Sequence, residues 1–154
     1  MEALSAIEQL GAIRLLKSSF YAYPLVNALH IAAIGALFTS VWLMDLRVLG
    51  AFRTVPEHPF LTLMRRVAIT AFAGAALTGA ALFSIRATEY AGMPVFWAKM
   101  GLILLAGLNL LLFAMLARKR PPQAPAGSGE RLAASLSALL WTGVLLCGRF
   151  IGFA

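Results

Sequence analysis

Few side chains in this sequence carry chemistry, and His30 is the first of them. It lies nine residues into an apolar run that begins at Tyr21. At 1.5 Å per helical residue that is about 14 Å deep, near the midplane of a roughly 30 Å hydrocarbon core. An ionisable group there is costly and faces a bundle interior or a cavity. Asn27 lies about one turn earlier on the same face. Such an imidazole ligates a haem or a metal, relays protons, or hydrogen-bonds in its neutral form to a neighbouring helix.

Arg86, Lys99 and Arg149 form a second set. Arg86 ends the second apolar run, Lys99 stands five residues into the third, and Arg149 stands five residues before the chain end. Taken together, they aim cations from three helices at one level above His30, which suits haem propionates, a lipid phosphate or a carboxylate. Taken singly, each snorkels to the membrane surface. The two sets fit one reading: His30 ligates a b-type haem and the cations neutralise its propionates. His58 is the only other histidine. It falls in a loop beside Pro59, so bis-histidine ligation within one chain is excluded by count. Met100 offers His/Met ligation. A second subunit's imidazole and five-coordination are the other solutions.

The remaining candidates are thinner. The sequence has no CxxC, HExxH, Walker A or GxSxG pattern. Its scattered methionines form no copper-binding cluster. Asp45 and Arg47, near the end of the first run, face Arg65 and Arg66 in a hairpin-base ion pair. Trp42, Trp97 and Trp141 read as interfacial anchors. Asn109 reads as a hydrogen bond between helices. Cys147 reads as a small packed residue.

The elements that position these residues follow from composition. Of the 154 residues, 61% are hydrophobic and 12% charged, against about 45–50% and about 25% in soluble domains. Mean hydropathy is +0.86. A disordered chain is excluded, and one soluble core cannot hide this much apolar surface. Four runs can span a bilayer, at about 21–43, 67–85, 94–116 and 132–153. A segment at 3–18 carries Leu4, Ile7, Leu10 and Ile13 at helical spacing, with Ser5 and Glu8 at capping-box separation. It predicts one amphipathic helix at the membrane surface.

Short connections make successive spans antiparallel neighbours. Pro56 and Pro59 stiffen the first loop, and the Arg118-Lys119-Arg120-Pro121-Pro122 segment opens a flexible third one. Ala71, Ala75 and Gly79, and likewise Ala134, Ala138 and Thr142, are small residues at four-residue spacing that let helices approach. The expected fold is a single all-α domain over residues 1–154, an up-down four-helix membrane bundle with an N-terminal interfacial helix.

Net charge is +7. The cations lie mostly between apolar runs, as in membrane orientation and anionic lipid contact, and not in a nucleic-acid motif. Arg47, Arg53, Arg65, Arg66, Arg118, Lys119, Arg120 and Arg131 fall on one face, and Arg14, Lys17, Arg86, Lys99 and Arg149 on the other. Excess Lys and Arg stays cytoplasmic, which puts both termini outside, in the periplasm for a protein of a bacterial inner membrane. Glu2 and Glu8 occupy the place of a basic signal-peptide region, so an uncleaved first span is expected.

Tyr23-Pro24-Leu25-Val26-Asn27-Ala28-Leu29-His30, Asp45-Leu46-Arg47-Val48-Leu49-Gly50 and Phe96-Trp97-Ala98-Lys99 carry a resemblance. They resemble a family of small bacterial four-helix inner-membrane proteins of unassigned activity, over Tyr23 to Phe113. More distantly the chain is similar to the copper-resistance D membrane domain and cytochrome b561-like bundles. The first resemblance implies the fold and points to His30, Asp45, Arg47 and Lys99.

The leading expectation is a redox component passing electrons between quinol and an outer-face partner. The alternatives are a non-catalytic accessory or anchoring subunit of a larger membrane complex, and copper handling or transport with His30 as ligand. Homo-oligomerisation or membership of such a complex is expected in either of the first two cases.

Overall fold

The computed structural model describes residues 2–9, 11–121 and 124–153. Its helices are α1 (Glu2–Glu8), α2 (Gly11–Ser18), α3 (Ala22–Leu49), α4 (Glu57–Ile85), α5 (Ala87–Ala91), α6 (Pro94–Arg118) and α7 (Ser128–Ile151). No strand occurs among the described residues. Helices α3, α4, α6 and α7 are long and apolar enough to cross a membrane. The chain is an all-α, multi-pass membrane bundle.

The long helices overrun several of the expected limits. Their backbone hydrogen bonds continue past the apolar run, so Asp45 and Arg47 remain helical in α3. Gly50 stops that helix. Its φ of 105° is one that an L side chain resists, and the Gly50 and Ala51 amides return to the Arg47 and Leu46 carbonyls. Helix α4 begins straight after Pro56. Pro59 lies in its first turn, where a missing N–H costs little. The first loop, expected between the 21–43 and 67–85 spans, is therefore only residues 50–56.

Packing orders the four spans as α4, α3, α7, α6. Spans two and three are consecutive, yet α4 and α6 do not pack backbone to backbone. The short helix α5 bridges them at one end. The core between α3 and α4 holds Leu37, Val41, Ala68 and Ala71, with Met44 and Trp141 against it. Trp141 is thus a core residue from the middle of α7, not an interfacial anchor. Of the first small-residue stripe, Ala71 lies in this core, whereas Gly79 makes room for a side chain, the His30 ring. Gly74 lets the Ala33 methyl lie 3.6 Å from where its own Cβ would stand, and Ala134 on α7 is 1% exposed. Asn109 Nδ2 donates to the Ala133 carbonyl at 2.8 Å, joining α6 to α7.

The expected N-terminal helix is two short ones. Gly11, a poor helix former, opens the second. Helix α1 packs on α5 and α4, and α2 on α4 and α3. Leu10 and Pro122 lie outside the described residues, as do the side chains of Ala3 and Ile7. Ser5 sits inside α1, and the Glu8 carboxylate turns elsewhere, so their spacing makes no capping box. Both the amide and the hydroxyl of Thr88 donate to Glu8 Oε1, at 2.9 and 2.7 Å.

Candidate functional site

His30 is half-buried between α3 and α4. Because α3 runs on to Leu49, His30 stands about 12 Å from the start of the helix and about 28 Å from its end. It belongs to the N-terminal third of the span and not to its middle. The sequence places Thr78 at a matching level of the antiparallel α4.

The Thr78 hydroxyl donates to the Gly74 carbonyl at 2.6 Å. Having spent its proton there, Oγ1 receives the Nδ1–H of His30 at 2.9 Å. This puts a proton on Nδ1, so that in the neutral ring the lone pair is on Nε2. A Cβ on Gly79 would stand 2.9 Å from His30 Cε1, too close to coexist with the ring. Gly79 is the space in which the imidazole lies.

Lys99 comes from α6 on the other side and acts electrostatically on His30. Its Nζ is 3.5 Å from the Cβ position of Gly148, beside Cys147. Among the described residues no carboxylate pairs with it. Phe83, Tyr90 and Phe96 stack over this end of the gap between α4 and α6. The Phe83 and Phe96 centroids are 5.2 Å apart, and Tyr90 lies 6.3 Å from Phe83. Burial pushes the Tyr90 hydroxyl above its ordinary value.

The structure thus brings His30 and Lys99 together, and Thr78, Gly79 and Gly148 with them. It does not assemble the rest of the expected cationic layer. Arg86 pairs with Glu89 on its own turn at 3.3 Å. Arg149 lies 4.3 Å above the Phe153 ring. Each is satisfied locally and near the surface, where a long side chain reaches water at little cost. Met100 is half-buried on α6, which does not pack against α3. His58 stands in the first turn of α4, lining a surface hollow with Thr62 and Arg66. Among the described residues no three of His, Cys, Asp and Glu converge as a metal site.

The far end of the bundle holds a charge chain that sequence reasoning missed. Glu57 meets Arg120 at 2.8 Å and Arg47 at 3.7 Å, and Arg120 reaches Glu130 at 3.6 Å. Glu130, 4% exposed, also accepts the Gly127 amide at 2.8 Å. A glutamate in the first turn of the second span and another in that of the fourth was the available signal. The expected pairing of Asp45 with arginine does not form. Arg47 is drawn to Glu57 and to the Val55 carbonyl, Arg65 and Arg66 point outward, and Asp45 bonds to Ser137 of α7. Trp97 is exposed near the start of α6 and donates to the Ala91 carbonyl at 3.0 Å. Trp42 has its Nε1 buried with no acceptor among the described residues.

No family model, curated protein or solved structure matches this chain.

Proposed function

We propose that this membrane protein is a small redox component that holds a b-type haem on His30, in the gap between the α3–α4 and α6–α7 pairs. The carrying observation is the fixed imidazole: Thr78 takes its Nδ1–H and Gly79 houses its ring, which leaves Nε2 of the neutral ring as the base that would ligate. Metal-ligating histidines are oriented in this way by a bond to the other ring nitrogen. Lys99, without a carboxylate partner among the described residues, would meet a propionate. Arg86 and Arg149, committed elsewhere, drop out of that role, and Met100 remains a candidate second ligand from α6. A bound haem would supply one-electron chemistry between a quinol and an outer-face partner. The aromatic stack of Phe83, Tyr90 and Phe96 would keep water from the site.

An absorbance spectrum of the detergent-purified chain, oxidised and then dithionite-reduced, tests this. A Soret band with sharp reduced α and β bands is expected, lost in His30→Ala and kept in His58→Ala. No extractable haem after expression with ample haem supply would overturn it.

A second reading has its own observation. The α4–α3–α7–α6 order keeps the α4 and α6 backbones apart, with the Phe83–Phe96 stack between them at one end, and a partner's helix would lie along the rest of that seam. Copurification of a stoichiometric partner with a cofactor-free chain would favour this accessory role.

The expected setting remains a bacterial inner membrane with both termini outside. Cysteine-accessibility labelling of Ser18→Cys from the outer face tests the orientation.

A further inference from the structure

Two arginines at the end of the bundle away from His30 are left over from its charge chain. Glu57 is shared by Arg47 and Arg120, and Glu130 is taken by Arg120 and the Gly127 amide. Arg53, in the 50–56 turn, and Arg131, in the first turn of α7, pair with no carboxylate among the described residues. Both are exposed, yet they reach for one point. A Cβ on Gly50 would stand 3.2 Å from Arg53 Nη2 and 3.7 Å from Arg131 Nη2. Arg53 spends its Nε–H on the Gly50 carbonyl at 3.0 Å, which leaves its terminal nitrogens for another acceptor. Two like charges held this close repel each other. Arg131 also stands at the positive end of the α7 dipole, where an anion is favoured and a further cation is not.

A groove of about 320 Å³ between α3 and α7 ends at the same corner. Leu46 and Leu49 line one side, and Ser135 and Leu139 the other. Leu49 adjoins Gly50, and Ser135 lies one turn beyond Arg131. The walls are almost wholly apolar, and Leu132 and Leu139 are exposed toward lipid beside them.

We infer that this corner binds one anionic phospholipid, its phosphate between Arg53 and Arg131 and one acyl chain along the α3–α7 groove. A phosphate offers separate oxygens to two guanidiniums at once, and nitrogens this close to a common point are within its span. It relieves the repulsion that the two carboxylates of the corner, already engaged, leave standing. A zwitterionic headgroup brings its own ammonium into a corner with cations in excess, so a net-anionic lipid is preferred. The groove selects a lipid over a free phosphate, because an apolar channel beside the cations has use only for a hydrocarbon chain. Basic pockets between membrane helices take headgroups in this way.

The test is native mass spectrometry of the full chain in detergent, titrated separately with dioleoylphosphatidylglycerol and dioleoylphosphatidylcholine, with glycerol 3-phosphate as competitor. One phosphatidylglycerol per chain should be retained, about tenfold more tightly than phosphatidylcholine. Arg53→Gln with Arg131→Gln should remove that preference. Arg65→Gln with Arg66→Gln takes the same charge from exposed positions on α4 and should keep it. Ser135→Phe narrows the groove from an exposed position, leaves both arginines in place, and should weaken both lipids. An unchanged preference in the Arg53 and Arg131 double variant would overturn the site. An equal loss in the two double variants would reduce it to general surface charge and overturn it as well. Unaltered lipid retention in Ser135→Phe, or displacement of the lipid by equimolar glycerol 3-phosphate, would overturn the part given to the acyl chain. None of these readings needs a bound haem, so the corner stands or falls apart from His30.

Discussion

Gly79 and His30 occupy one space: a methyl on the glycine would lie 2.9 Å from His30 Cε1, while Thr78, the adjoining residue, accepts the ring's Nδ1–H at 2.9 Å. One short segment of α4 therefore makes room for an imidazole and fixes its tautomer.

Gly79→Ala must push the ring aside. It should lower stability by about 1–3 kcal/mol, as overpacking does. Gly74→Ala is the matched comparison, since its Cβ meets the Ala33 methyl at an ordinary 3.6 Å. That substitution should be neutral, or stabilise by up to about 1 kcal/mol through helix propensity. Unfolding of both variants in one detergent, followed by circular dichroism, gives the comparison.

Thr78→Val keeps the shape of the side chain and removes the acceptor. A half-buried N–H left without a partner costs about 1–3 kcal/mol at full burial and less here. Thr78→Ser retains the hydroxyl and should recover most of the loss. Under the haem reading, Thr78→Val should also shift the reduced α band or lower haem retention, because the imidazole loses its orientation.

Arg120 lies between two carboxylates, one of them nearly buried. Arg120→Ala strands Glu130 and loosens the joint among α3, α4 and α7. A destabilisation of about 2 kcal/mol is expected, within the range for hydrogen bonds to charged groups. Arg118→Ala, at an exposed position, should cost almost nothing. Added salt should narrow the difference only partly, since partly buried pairs are screened less than exposed ones.

The Thr88 hydroxyl and amide hold the Glu8 carboxyl below the usual carboxylate range, with Lys17 helping. A depressed carboxylate contributes stability above its unfolded value and loses it as pH falls through the folded one. The docking of α1 on α5 should therefore be firm at neutral pH and loosen on acidification below the ordinary carboxylate range. Hydrogen exchange at the Thr88 amide should speed up over that interval. Glu8→Gln should show fast exchange at every pH, and an unchanged rate in it would count against the latch.

Composition and run length by themselves determined the membrane setting, the four spans and the use of small residues between helices. Each follows from local facts: about 20 apolar residues cross a bilayer, and small side chains admit a neighbouring backbone. The sequence also singled out His30, Lys99 and Asn109, because a polar group inside an apolar run is conspicuous. What it left open were choices between distant partners. Arg86 and Arg149 were legible as cations but not as already paired, since Glu89 and Phe153 compete locally for them. Asp45 was legible as a carboxylate, but Arg47 had a better partner in Glu57, which only the closing of the 50–56 turn brings near. The α4–α3–α7–α6 order, the seat of His30 against Gly79 and the convergence of Arg53 and Arg131 on Gly50 were decided by tertiary structure. Helix periodicity fixes which face a residue occupies, whereas the face that meets it depends on how separate helices pack.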